Sequence, residues 1–334
     1  MSTIAGGAID SASLTPDRRL PYAFIVGCPR SGTTLLRRML DHHPMLAIAN
    51  DTHFIPRVVD PDGGDVVLSP ELVERVLHYH RFGRLGLDDA AVRGVASQRR
   101  TYAEFVSALY AEFGVRHGKP LAGEKTPDYV RYLPLLDRLF PWSKIVHIVR
   151  DGRDVALSAL QWARPDKGPG RFALWREDPV AVCALWWRWQ VMSGRTDGRR
   201  LGSRYRELPY EDLVARPRET VESLCLFLEL PFAPETLAYH VGRQRDQPGL
   251  SAKKAWLPPT PGLRDWRSQM SERDVALFEA LVGDLLSSLG YERATSAPAP
   301  AVAALAERYQ SWWEAELERR RSRRLSKHQA IARS

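Results

Sequence analysis

The sequence predicts an α/β protein, with a central parallel sheet flanked by helices. Short apolar runs that read as buried strands alternate with longer segments of helical period. The first run, residues 22–26, passes through Gly27 into a loop containing Gly32, and Leu35, Leu36, Met39 and Leu40 then fall at helical spacing. The run 144–149 ends in a similar way on Arg150-Asp151-Gly152-Arg153. Open parallel sheets bind their ligands outside such strand ends.

Each element has a local reason. Residues 1–20 are polar and are expected to be flexible. A strand over 22–26 and a helix over 33–42 are followed by a second short strand over 45–49. Residues 57–118 read as a helical insert. There Ser69 caps a helix with Pro70 at its first position, and Thr101 with Glu104 forms a capping box ahead of Phe105, Leu109 and Phe113. A strand over 120–125 ends in a polar loop, and a helix carrying Tyr132, Leu135, Leu136 and Leu139 follows. After the strand 144–149 comes another helix. A Trp-rich helix with Leu185 and Val191 then places Trp186 and Trp189 on one face, read as core. Residues 204–210 form a further strand, and Ser271 with Asp274 opens a helix bearing Leu277, Leu281 and Leu285, stopped by Gly290. The division expected is 1–20, a main domain over 21–293, and 294–334 as a Pro/Ala linker with a basic C-terminal helix docked by Trp312 and Trp313.

Composition narrows the function classes. The 334 residues are 44% apolar and 26% charged, values of a globular protein that exclude disordered and fibrous classes. No apolar run approaches the roughly 20 residues of a membrane helix, so no transmembrane segment is expected, and the N-terminus lacks the pattern of a signal peptide. Cys28, Cys183 and Cys225 are too far apart for a disulfide framework or a paired-cysteine zinc site, which suits a reducing cytoplasm. Lys and Arg number 48 against 40 Asp and Glu, a net charge of +8. From Glu307 onward eight Lys or Arg stand against four acids, so half the excess belongs to the tail. A basic cleft for a small polyanion explains the rest better than nucleic-acid binding does, and no nucleic-acid partner is expected.

Gly27-Cys28-Pro29-Arg30-Ser31-Gly32-Thr33-Thr34 has the strand-loop-helix setting in which backbone N–H groups wrap an anion at a helix N-terminus. The spacing is that of a P-loop, but Thr33 stands where nucleoside triphosphatases carry Lys, so a P-loop-like fold without a triphosphate loop is implied. Arg30 supplies a cation. Arg150, at the end of its strand, and Ser158, two helical turns later, could grip a phosphate. Glu124-Lys125-Thr126-Pro127 brings a Lys to a third strand end.

Together these segments resemble the sulfotransferases that use 3′-phosphoadenosine 5′-phosphosulfate, nearest the branch containing the tyrosylprotein sulfotransferases. The resemblance runs from Tyr22 to about Tyr291 and makes 21–293 a sulfotransferase domain. PRSGTTLL is similar to the family's 5′-phosphosulfate loop, IVRDGRDVALS to its 3′-phosphate motif and EKTP to its Lys segment. Tyr210-Glu211-Asp212-Leu213-Val214 with Pro217, and Leu289-Gly290-Tyr291, are also like the family. The resemblance implies that Arg30, Ser31, Gly32, Thr33 and Thr34 hold the 5′-phosphosulfate of this donor. Arg150 and Ser158 would hold the 3′-phosphate, Tyr210 would lie near the nucleotide, and Lys125 would face the sulfuryl group. A late loop, matched by Ser251, Lys253, Lys254 and Arg264, would cover the nucleotide. An acid, Asp265, directly precedes Trp266 where the family has a basic residue.

Sulfuryl transfer needs an in-line nucleophile and cations around the leaving phosphate, where Lys125, Arg30 and loop N–H groups are suited. No metal is implied. The acceptor hydroxyl also needs a base. The segment 49–56 resembles the tyrosylprotein sulfotransferase stretch in which the acid before Thr is the base, here Asp51; His53 is the second candidate. The acceptor stays open among a small molecule, a glycolipid and a peptide, and a homodimer is left open too. The competing classes are a small-molecule kinase, disfavoured by Thr33, and a non-catalytic protein that binds an anionic ligand, disfavoured by Arg30, Lys125 and Arg150 together.

Overall fold

In the computed structural model, which describes residues 19–241, 258–295 and 297–333, five parallel strands form one sheet. They are β1 (Ala23–Gly27), β2 (Leu46–Asn50), β3 (Leu121–Lys125), β4 (Lys144–Val149) and β5 (Tyr205–Pro209), in the order β2-β3-β1-β4-β5. β1, β3 and all but the first residue of β4 are buried. Strands covered on both faces read as continuous apolar runs, which is why their sequences lack alternation. The register aligns the carboxyl ends: Gly27 lies opposite Ile148, Asn50 opposite Lys125, and Val149 opposite Pro209.

β1 is central, and the chain leaves it first toward β2 and β3, then crosses to β4 and β5. The crevice above β1 is therefore the switch point of the sheet, where open α/β folds place ligands. Helix α1 (Thr33–Leu40) follows the β1 loop. The segment between β2 and β3 carries α2 (Pro70–Leu77), α3 (Asp89–Ala96) and α4 (Tyr102–Arg116). Ser69 caps α2, and Thr101 with Glu104 forms the capping box of α4. Beyond β3 come α5 (Leu133–Leu139), α6 (Gly152–Trp162) and the long α7 (Pro179–Gly198). After β5 lie α8 (Tyr210–Ala215), α9 (Pro217–Phe227), α10 (Trp266–Gln269), α11 (Glu272–Ser288) and α12 (Pro300–Arg333).

Two packed layers flank the sheet. Phe24, Val26, Ala47, Ala49 and Ala122 join the core beneath α4 and α5, whereas Ile25, Ile48, Val146 and Ile148 face α1 and α9. A third core unites α6, α7 and α11, and α12 docks on it through Ala306, Tyr309 and Trp313. Trp186 is buried there, as a core reading requires; Trp189 is only half-buried and rests against Phe172, Trp313 and Arg131. Among the described residues no helix is long and apolar enough to cross a membrane.

Candidate active site

The five carboxyl ends of the strands assemble one site. The β1 loop is shaped by backbone that only some residues tolerate. Gly32 has φ 96°, and a Cβ there would meet the Tyr210 ring at 2.3 Å. Tyr210, the first residue of α8, therefore lies directly on the loop. Arg30 also adopts a positive φ, 84°, a strained choice for a side-chain-bearing residue and one of the conformations that gather at functional sites. Gly32 caps α1 without a side-chain hydrogen bond, so the first N–H groups of the helix keep their capacity for an anion. Ser31 is fully buried and its Oγ has no hydrogen-bond partner.

Arg30 and Arg150 reach the crevice from different strands. Arg30 Nε donates to Ser158 Oγ at 2.9 Å, and its guanidinium lies over the Trp162 ring. Burial, helped by the charges of Arg264 and Arg150, lowers the Arg30 pKa to about 10, which leaves it cationic at neutral pH. Arg150 stacks on Tyr210 at 4.3 Å from the ring centroid and pairs with Asp154 at 3.0 Å, while its buried Nε lacks a partner. Ser158 thus touches Arg30, and Arg150 pairs with Asp154 in the first turn of α6. The two residues expected to share one phosphate are linked to the loop and to Asp154 respectively.

Arg150 is held from behind. The Trp187 indole N–H donates to the Arg150 carbonyl at 3.1 Å. Buried Arg153 bridges Asp151 at 2.7 Å and Glu279 at 2.6 Å, and stacks on Trp266. The Trp266 N–H donates to Asp154 at 3.0 Å. This network ties α6 to α11 and to the segment after the late loop. Ser251, Lys253 and Lys254 lie outside the described residues; Arg264 is described, donates to Gln161 and adds its charge near Arg30.

On the other flank, Lys125 is 1% exposed and its Nζ lies 3.0 Å from Asp51 Oδ1. Burial lowers its pKa and the Asp51 carboxylate opposes that shift. Asp51 keeps 23% of its side chain exposed, with Arg84 3.9 Å from its second oxygen. Asp51 and His53 both have positive φ, 56° and 59°. The turn between them is fixed by the Thr52 N–H, which donates to the buried Glu124 at 3.0 Å, and by the Ile55 N–H, which donates to the Tyr129 hydroxyl. His53 packs edge-on against Tyr129, and burial drives its pKa down to about 4. The sequence places Asp51, His53, Lys125, Arg30, Ser31, Gly32, Thr33, Thr34, Arg150, Ser158 and Tyr210 at these strand ends or in the turns and helices that begin there. It gives no sign of Glu124 beneath the turn, of Trp187 on Arg150, or of Trp162 under Arg30. The spacing of Trp186 and Trp189 marks only one face of α7, and Trp187 lies on another.

A strained glycine loop, an uncapped helix start and two arginines from different strands meet at the carboxyl edge of an α/β sheet. Beside the loop a buried lysine and a part-exposed carboxylate lie 3.0 Å apart, an arrangement suited to group transfer. The model of the sulfotransferase family matches residues 21–234, more than half of the chain, and the chain belongs to that family. It is 27% identical to the protein-tyrosine sulfotransferase 1 of Danio rerio, over 89% of this chain and 79% of that one. It is 28% identical to the protein-tyrosine sulfotransferase 2 of Gallus gallus, over 84% and 72%. Among solved structures it is similar to the sulfotransferase domain of the Synechococcus olefin synthase, at 25% identity and a TM-score of 0.57, covering 83% of this chain and 98% of that one. The fold is thus the P-loop-like parallel sheet that the sequence predicts. Among the described residues, no group of three or more His, Cys, Asp and Glu is placed to hold a metal ion.

Proposed function

We propose that this sulfotransferase takes its sulfuryl group from 3′-phosphoadenosine 5′-phosphosulfate and passes it to an acceptor hydroxyl, with peptidyl tyrosine as the leading acceptor class. The observation that carries the reading is the pairing of buried Lys125 with Asp51 beside the β1 loop. The donor fits the residues present. The unpartnered Ser31 Oγ and the uncapped start of α1 suit the 5′ end, and the unpartnered Arg150 Nε suits the 3′-phosphate. When bound, the donor supplies an activated sulfuryl group on a phosphate leaving group.

Arg30, the loop N–H groups of 31–34 and Lys125 supply positive charge where the leaving phosphate gains negative charge, the kind of contribution that counts most in the transition state. Arg150, stacked on Tyr210, distinguishes a 3′-phosphorylated adenylate from an ordinary one. Asp51 takes the proton of the attacking hydroxyl, because its carboxylate is part-exposed at the crevice. His53 is the second candidate: its ring packs edge-on against Tyr129, whereas Asp51 is the carboxylate paired with Lys125. The acceptor class rests on the names of the relatives, which are protein-tyrosine sulfotransferases. Residues of the segment between β2 and β3 and of the Trp-rich α7 flank the acceptor side.

The test is a panel comprising a tyrosine peptide, a simple phenol and a sugar alcohol, incubated with the donor and followed by release of 3′,5′-adenosine bisphosphate. Sulfation of the peptide is expected. Transfer to none of the panel, or phosphorylation of the panel from a nucleoside triphosphate with release of the diphosphate, would contradict the reading. In the same assay Asp51→Asn lowers turnover at least about a hundredfold, while the bisphosphate still binds.

A further inference from the structure

Two cations share one aromatic ring at the edge of the crevice. Ser158 and Trp162 lie one helical turn apart on α6 and so share the face that meets Arg30. Arg30 donates to Ser158, and its guanidinium carbon lies 5.7 Å from the centroid of the Trp162 ring. The Lys167 ammonium lies 4.7 Å from the centroid of the same ring. Among the described residues no carboxylate forms an ion pair with either cation. Partial burial, and the charges of Arg30, Arg81 and Arg164, lower the Lys167 pKa, while Asp166 opposes that shift. An indole face attracts cations, but it does not neutralise two of them. A bound anion does.

Lys167 stands on a strap, residues 163–172, that leaves the end of α6. The N–H groups of Arg164 and Lys167 donate to each other's carbonyls at 3.3 and 2.9 Å, which closes a tight turn. Gly168 follows with φ 59°, and a Cβ there would meet the Trp162 ring at 2.3 Å, so the strap lies flat on that indole. Its other end is Phe172, which is buried. The Phe172 ring lies 4.4 Å from the Trp313 ring of α12 and edge-on to Trp189 of α7. The Arg320 guanidinium of α12 covers it at 4.2 Å and donates to the Arg171 carbonyl at 3.2 Å. Residues 164–166 are exposed and add little packing, so the place of Lys167 depends on Trp162 at one end and on α12 at the other. Helix α12 lies outside residues 21–234, the part of the chain that the family model matches.

We propose that Lys167 is a further binding residue for the 5′ end of the donor, and that α12, by enclosing Phe172, holds the strap that presents Lys167 beside Arg30. Phe172 is then a positioning residue, acting through the strap. This rests on the donor assignment above, in which Arg30 meets the 5′-phosphosulfate. The anion neutralises the two cations gathered on Trp162, and a charge-assisted contact from each adds to its affinity. No bond forms or breaks at Lys167, which contributes charge alone.

The experiment compares calorimetric titrations of full-length protein with 3′,5′-adenosine bisphosphate and with adenosine 3′-monophosphate, which lacks the 5′ group. The ratio of the two affinities isolates contacts at the 5′ end. Lys167→Ala is expected to reduce that ratio about tenfold, with affinity for the monophosphate within about twofold of wild type. Phe172→Ala is expected to reduce the ratio by a similar factor, and the double variant no further, because both changes remove the same contact. An unchanged ratio in Lys167→Ala overturns the proposal. Losses that multiply in the double variant also overturn it. So does a Phe172→Ala protein that binds both nucleotides more weakly at an unchanged ratio, which would make Phe172 a core residue only. Should Phe172→Ala fail to fold, Arg320→Ala, at a part-exposed position, removes the cover of Phe172 and the bond to the Arg171 carbonyl. The ratio is then expected to fall about threefold, and an unchanged ratio overturns the role given to α12. A wild type that binds the two nucleotides equally would instead overturn the donor assignment itself, which separates the two failures.

Discussion

Replacing Lys125 by Met separates the two roles that a buried lysine can play. Met fills a similar length of apolar channel without the charge. The carboxylate left behind, Asp51, is 23% exposed and has Arg84 3.9 Å away, so water and a second cation can take it over. The stability cost is accordingly below the ~3–5 kcal/mol of a fully buried broken pair, about 1–2 kcal/mol. The reverse change, Asp51→Asn, strands an ammonium that is 1% exposed and costs more, about 3 kcal/mol. Chemistry responds in the opposite proportion to stability. Losing a cation aimed at developing charge removes about 2.7–4 kcal/mol of transition-state stabilisation, a factor of ~100–1000 in kcat. With the donor contacts proposed for Arg30, Arg150 and the loop N–H groups, donor affinity is expected to fall less than about tenfold. The assay is kcat and KM for the donor, with calorimetric titration of 3′,5′-adenosine bisphosphate and denaturant melts of both variants. An unchanged kcat at saturating donor, with the loss confined to affinity, would refute the reasoning. So would a melt in which Lys125→Met is the less stable of the two.

Two further outcomes follow from buried charge. Arg153→Met removes the closest cation from the Glu279 carboxylate, whose side chain is fully buried, and the stack on Trp266, but leaves the donors Ala294 and Thr295 and the Arg293 guanidinium at 4.0 Å; chemical denaturation should show a loss of about 2–3 kcal/mol, and a loss under about 1 kcal/mol would show the network to be dispensable. His53 has a folded pKa of about 4, below the ordinary 6.5, so the unfolded state binds its proton first: its contribution is whole above pH 6.5 and is lost as pH falls toward 4. Between pH 7 and 4.5 the wild type should therefore lose about 2–3 kcal/mol more stability than His53→Gln, measured by urea unfolding at both pH values; equal losses would contradict the burial argument. Turnover of His53→Gln should stay within about tenfold of wild type, and a hundredfold fall would move the base from Asp51 to His53.

Much of the frame is legible because a central parallel strand declares itself as an unbroken apolar run and a strand-end turn declares itself through Gly and charge. The windows 22–26, 45–49 and 144–149 fall within one or two residues of β1, β2 and β4. Helix α9 is absent from the sequence reading, although Pro217 at its first position is an ordinary start signal. Side-chain partnership is a different matter. Arg30 finds Ser158 across 128 positions, and nothing local in either segment encodes that meeting. Lys125 reads as a lysine at a strand end, with no sign of its burial, yet β3 lies between β2 and β1, and an interior strand seals even its last residue. Glu124 falls within the strand 120–125, but nothing local marks it as sealed, and the donors from Thr52, Thr126 and Tyr110 explain how a carboxylate survives there. Strand order, which no local pattern contains, decides which polar residues are buried.

The central claim is that the crevice above β1 recognises a 3′-phosphorylated adenylate through Arg150. Calorimetric titration of the wild type and of Arg150→Ala with 3′,5′-adenosine bisphosphate and with 5′-AMP tests it most directly. A charge-assisted phosphate contact is worth about 1.5–3 kcal/mol, so the wild type should bind the bisphosphate ~10–100-fold more tightly than 5′-AMP, and Arg150→Ala should bind the two alike. Equal affinity of the wild type for both nucleotides, or a preference that survives in Arg150→Ala, would contradict the account.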